Sequence, residues 1–361
     1  MMIYLSLFVF TVFYAISAYI DSGSKINAEK TLGILACLVL TFLAGNRDPA
    51  SWADTEVYLY SFSEVPSAPS FSFSEEPIGY TEKGFSFLGS LLKVFTSDGT
   101  VYLFFIAALS IFILFADIRK YSIFPLVGLC CYIARFYMNR NMIQIRAGLS
   151  YAILLYAIQY ITVKDWKRYF LVVALATTLH HSALVAVPLY FFCNMVKPKR
   201  WHVIVVLVLS FVIGAAGQGI VHRFVEDNSS DMSIDAYTQK GGYATYYQGA
   251  GLSNPMIYFE VVLLLVYTFA EKKLKEVDEN YYAIRMAYLY STAFLICFCS
   301  YKVLASRTAS IYATLEYCVI PSLIYIVPRK NRPLAFAIAG VLLLLVFKMY
   351  LNQQFQLMGN S

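Results

Sequence analysis

Apolar residues run through this chain in long blocks separated by short polar breaks, without the one-sided stripes of a soluble helix. Ten blocks approach or reach the roughly 17–25 residues that a bilayer core demands. They fall at 2–20, 31–45, 101–116, 122–138, 142–161, 201–221, 255–270, 283–300, 308–327 and 334–350. Each predicts a helix that is apolar on every side, as a membrane span is and a surface helix is not. A further block, 168–195, has basic clusters at both ends. Its 28 residues, at about 1.5 Å each, are too few for two crossings of a core roughly 30 Å thick. A broken or re-entrant helix pair is predicted there, with His180, His181 and Ser182 at the apex. Irregular backbone at that depth persists only where protein buries it or a wet cavity receives it. The first block lacks a basic start and a small-residue cleavage site, so no cleavable leader is expected.

Composition sharpens this into a fold class. The 361 residues are 59% hydrophobic and 14% charged, with a mean hydropathy of +0.62, against roughly 25% charged in soluble domains. The expected fold is all-α: one polytopic integral membrane domain over 1–361, a helical bundle of about 10–12 transmembrane segments. Sixteen of the 28 Lys and Arg lie in six short connections, at 21–30, 117–121, 162–168, 196–202, 271–280 and 328–333. The positive-inside rule makes these cytoplasmic. The connections 46–99 and 222–254 hold twelve of the 22 Asp and Glu and are expected to face outward. The seven cysteines all lie in apolar blocks, which reads as membrane packing and neither as a disulfide framework nor as a zinc site. No phosphate-binding glycine loop, metal-ligand spacing or internal repeat is present, and the basic connections are too short and too mixed with acids to suggest nucleic acid.

Candidate chemistry collects on the outer side of this topology. Arg135, Arg140, Arg146 and Arg307 all fall where the positive-inside rule disfavours them, and charges in costly membrane positions are functional candidates. Arg146 has Asn139 and Ser150 at helical spacing near its own face, and Arg307 has Ser310 and Thr314 three and seven residues on. Each arginine alone could snorkel to the interface. Several on one side instead suggest an anionic lipid head group, because guanidinium is permanently charged and grips phosphate through paired hydrogen bonds. His180, His181 and Ser182 could satisfy a helix–helix contact or line a substrate cavity. "AGNRDPASWADTEVYLYSF" (44–62) sets Arg47, Asp48, Asp54 and Glu56 at its mouth. Glu75, Glu76 and Glu82 precede a possible amphipathic interfacial helix, and Glu75 and Glu76 read as solvated. "AYTQKGGYATYYQGAGLSNP" in the second outer connection has the aromatic and amide content that suits a sugar, and equally that of a mobile surface loop. For a general base, His180 and Asp54 are rivals.

"GNRDPASWADTEVY" (45–58), "IRAGLSYAI" (145–153), "LHHSALVAVP" (179–188) and "ASRTASIYATLEYCVIP" (305–321) occur in an order that resembles the EpsG family, the Wzy-type polymerases of bacterial exopolysaccharide, capsule and O-antigen. The likeness spans about 40–325 and rests on the order of short motifs. It implies a GT-C-like multi-pass glycosyltransferase of the bacterial inner membrane, working at the periplasmic face on undecaprenyl-diphosphate-linked oligosaccharides. It further implies no nucleotide-sugar donor and no cofactor, with a chain-length regulator as a candidate partner. By this resemblance Arg47, Asp54, Arg146, His180, Ser182 and Arg307 match the family's motif positions. One departure is visible: the arginine of the middle span is usually followed by Gln, and here Ala147 follows it, with Gln144 nearby. On this reading Arg146 and Arg307, joined by Arg47, stabilise a departing diphosphate, and His180 or Asp54 takes the proton of the attacking hydroxyl. Arg135, Arg140, His181 and Ser182 join them as substrate-binding candidates. A lipid-linked oligosaccharide flippase, an O-antigen ligase and a membrane acyltransferase are the alternatives.

Overall fold

The computed structural model describes residues 2–23, 25–79, 81–195, 199–216 and 249–359, all helix, turn or coil, with no strand among them. The tyrosine- and glycine-rich stretch read as suiting a sugar lies mostly outside the described residues. The chain is an all-α polytopic membrane protein. Among the described residues, five helical stretches are long and apolar enough to cross a membrane: Met2–Ser22, Ile26–Gly45, Gly99–Tyr121, Arg307–Ile326, which contains a turn at 314–315, and Arg329–Gln356. Five other expected spans hold shorter helices over their described residues. Pro125 opens one at its first position, where a missing N–H is harmless. A π turn at Met138–Ile143 interrupts the next. The seven cysteines are all free, buried or half-buried.

The helices divide into two compact units, 1–157 with 166–186 and 316–361, and 158–165 with 187–315. In the first, α1 (Met2–Ser22) packs on α6 (Pro125–Arg135) and on the last helix, Arg332–Gly359. α2 (Ile26–Gly45) lies along α5 (Gly99–Tyr121), which also contacts α7 (Ile145–Leu155). α7 in turn packs on α9 (Trp166–Leu179). In the second unit a one-turn α13 (Glu271–Leu274) precedes α14 (Tyr281–Cys297), which is central, contacting α8 (Ile158–Thr162), α10 (Val187–Met195), α11 (Arg200–Ala216), α12 (Pro255–Phe269) and α15 (Lys302–Ala313). Asn254 caps α12 by accepting from the Met256 N–H at 3.0 Å, with Pro255 following at the first helical position.

The connection 46–98 is structured. α3 (Thr55–Glu64) and α4 (Lys83–Leu92) fold against each other and onto the bundle. The amphipathic helix expected near 74–95 is α4, and one of its faces packs on α3 and α9. Its Phe85 is fully buried with Tyr58, Phe62, Tyr102 and Leu149, which removes its apolar area from water. Asp98 caps α5, accepting the Thr100 N–H at 2.7 Å and the Val101 N–H at 3.2 Å.

Candidate functional site

The break expected within 168–195 is real, and it lies at His180. The last α-helical bond of α9 runs from the His180 N–H to the Ala176 carbonyl at 3.0 Å, and a 3-10 turn, His181–Ala186, follows. α10 restarts at Val187 with Pro188 behind it. α9 belongs to the first unit and α10 to the second. A break of this kind leaves backbone groups without intrahelical partners, to be met from outside the helix.

Into this break reaches Glu82, the residue before α4. Its Oε1 lies 2.7 Å from Nδ1 of His180 and accepts the His181 N–H at 3.2 Å. Its Oε2 accepts from Nη1 of Arg146 at 2.6 Å. The side chains are 7%, 14% and 15% exposed for Glu82, His180 and Arg146. One carboxylate thus joins residues 64 and 98 positions away in sequence. Burial alone pushes the Glu82 carboxyl up, but the His180 hydrogen bond and the adjacent Arg146 charge outweigh it and bring the group from 4.5 down to about 2. Gly84 makes the approach possible. A Cβ there would stand 2.6 Å from the carbonyl oxygen and side chain of Thr178 on α9, so only glycine lets the start of α4 sit against the end of that helix.

Arg146 occupies the second position of α7, directly after the π turn, and its guanidinium sits 5.5 Å from the Tyr58 ring centre. Asn141 holds that turn: its Oδ1 accepts the Tyr132 hydroxyl at 2.6 Å and its amide donates to Ser110 at 2.8 Å. Gly148 lets the turn fold back on α7, since a Cβ there would meet the Arg140 carbonyl oxygen at 2.3 Å. The result places the Arg140 guanidinium 4.2 Å over the Tyr151 ring, with Nη1 donating to Gln144 at 3.5 Å. Tyr151 in turn hydrogen-bonds Ser182 and lies 6.0 Å, ring centre to ring centre, from His180. Ser150, expected near Arg146, instead donates to the Ala176 carbonyl at 2.7 Å and ties α7 to α9.

The structure therefore brings Arg140, Arg146, His180, His181 and Ser182 together. Arg47 is buried at the end of α2, donating to Thr55 at 3.0 Å and to the Ala44 carbonyl at 2.6 Å, and its Nη2 is buried with no hydrogen-bond partner. Burial lowers its pKa to about 10, which still leaves it charged. Asp54 is exposed at the head of α3 in the left-handed region, φ 64°. Arg135 pairs with Glu316 and thereby joins α6 to α16 (Glu316–Ile326). Arg307 is half-buried on α15, in the second unit. Glu82, Tyr58 and Tyr151 were not among the residues the sequence singled out for chemistry.

A cleft of about 790 Å³ opens beside Glu82 and His181. Its polar lining residues include Thr81, Glu82, Lys83, Thr178 and His181, and its apolar ones Leu109 and Ile113 of α5, Leu149 and Ile153 of α7, and Leu175 and Leu179 of α9. His181, 77% exposed, stands at its edge. Among the described residues no group of three or more metal-ligating side chains comes together.

A profile of the EpsG family matches residues 30–358. The chain belongs to the EpsG family. It is also similar to the amylovoran biosynthesis protein AmsC of Erwinia amylovora, at 24% identity over 305 residues that cover 81% of this chain and 77% of that one. No solved structure matches. The resemblance carried by the four short motifs thus holds over nearly the whole chain, including the segment around Glu82 that none of those motifs contains.

Proposed function

We propose that this EpsG-family chain is a membrane glycosyltransferase that joins lipid-linked oligosaccharide repeats into an exopolysaccharide, capsule or O-antigen, with undecaprenyl diphosphate as the leaving group. The observation that carries the reading is the buried cluster of Arg146, His180 and Glu82, of which Glu82, with the neighbouring His181, also lines a largely apolar cleft. An isoprenoid diphosphate has the same division, a charged head on a long apolar tail. Amylovoran biosynthesis, for which the similar Erwinia protein is named, supports polymer assembly as the setting.

In this mechanism a hydroxyl at the non-reducing end of one lipid-linked repeat attacks the anomeric carbon of the growing chain. The bond from that carbon to the diphosphate oxygen breaks, and the proton of the attacking hydroxyl passes to His180. Charge gathers on the departing diphosphate, and Arg146, with five N–H donors on a rigid plane, meets it by electrostatics. Arg140, held over Tyr151, adds a second permanent cation close to His180 through the same ring. Asp54, exposed at the head of α3, is a less suitable base than His180, because a proton acceptor for this step needs a water-poor position beside the leaving group. The active site faces the periplasm of the inner membrane in this reading, as the basic connections require of a cytoplasmic opposite face.

The test is the polymer ladder on a gel from cells carrying Arg146→Ala or His180→Ala, with each variant matched to wild type in abundance. Loss of the arginine is expected to slow chain growth by about 10²–10³, leaving single repeats on lipid. Ladders of unchanged length from both variants would remove this site from the reaction.

A further inference from the structure

We infer that Glu82 is a positioning residue for the transfer: it accepts the Nδ1–H of His180 and so fixes the imidazole in the tautomer whose basic nitrogen is Nε2. The inference rests on the polymerase reading for the identity of the reaction, and on geometry for the rest. A neutral imidazole carries one proton, shared between two nitrogens of similar basicity, and an acceptor at one of them decides where it sits. Here the acceptor is a carboxylate oxygen 2.7 Å from Nδ1, held in place from three directions by His180, the His181 N–H and Arg146. The same carboxylate then stabilises the imidazolium formed when Nε2 takes the proton of the attacking hydroxyl, and it returns to its resting partner when that proton leaves to water. Glu82 itself is excluded as the base. Three donors already engage its two oxygens, and its depressed acidity constant makes it a poor proton acceptor at neutral pH.

The groups facing this pair come from several elements: Arg146 and Tyr151 of α7, Tyr58 of α3, and His181 of the break itself. Arg146 does for Glu82 what Glu82 does for His180, keeping it ionised and aimed. Gly84 is the backbone condition for the arrangement, since any larger residue would lift Glu82 from the end of α9.

The experiment uses the full chain in liposomes with lipid-linked repeats extracted from cells that lack it. Glu82→Gln, at wild-type abundance and still folded at the assay temperature, is expected to lower kcat by about 10²–10⁴ with KM within a few-fold, the behaviour of a histidine left in the wrong tautomer. In a His180→Ala background the same substitution is expected to cost less than about tenfold, because residues acting as one unit are not additive. An equal loss in both backgrounds, or a rise in KM alone, would overturn the inference. If His180→Ala leaves chain growth intact, the polymerase assignment of this site fails instead, and the two failures are distinguished. Should Glu82→Gln fail to accumulate, nitrogen-15 spectra of histidine-labelled wild-type protein, with His180 assigned by its loss in His180→Gln, decide the matter. A protonated Nδ1 at neutral pH is expected, and an unprotonated Nδ1 would refute the claim.

Discussion

Three residues distant in sequence, Glu82, Arg146 and His180, meet on one carboxylate, and this meeting makes a prediction about acid. Glu82 has a folded-state pKa of about 2 against an ordinary 4.5. A group depressed in this way stabilises the fold above its unfolded value and loses that contribution as pH falls through the folded one. The melting temperature of detergent-purified wild type should therefore exceed that of Glu82→Gln by a constant margin above about pH 5, and the margin should shrink toward pH 2. A margin that widens on acidification would contradict the pairing. The histidines, Arg146 and Ser182 were legible as a group from their costly positions in apolar sequence. Glu82 was not, because a carboxylate in a polar connection has no local signature of burial. Only contact with α9, dictated by Gly84 some 94 residues before Thr178, takes it out of solvent.

At the scale of the element, the helix break at His180 and the helix at α4 were both visible in the hydrophobic pattern, whereas their mutual contact was not. Periodicity reports which face of a helix is apolar, and α4 has such a face whether it lies on a lipid surface or on protein. The position of Gly84 turns that contact into an expectation: Gly84→Val should displace α4 from α9 and lower chain growth by roughly a hundredfold, the scale of an ångström-level misplacement, in protein that still accumulates. The pair Arg135–Glu316 belongs to this scale too. Both side chains are buried, at 7% and 3% exposure, and they link α6 to α16. Removing one partner strands a charge, so Arg135→Met should cost about 3–5 kcal/mol of stability, while Arg135→Met with Glu316→Leu should recover most of it. Denaturation of the purified variants measures both. Had the double variant kept its stability and lost its activity, Arg135 would return as a substrate ligand.

For the whole molecule, the all-α membrane class followed from composition and block length, and the EpsG assignment from the order of four short motifs; both hold. The ten expected spans do not translate one for one into long helices. The π turn at Met138–Ile143 and the 3-10 turn at His181–Ala186 divide apolar sequence that hydropathy reads as continuous, and it is at these divisions that Arg140, Arg146 and His180 stand. The central claim is that this chain elongates lipid-linked repeats by itself. Purified protein in liposomes, supplied with lipid-linked single repeats and no nucleotide sugar, tests it most directly by mass analysis of the lipid-linked products. Ladders of two or more repeats with release of undecaprenyl diphosphate, abolished by Arg146→Ala, are the result expected. Repeats that remain single, or that merely change leaflet, would contradict the account.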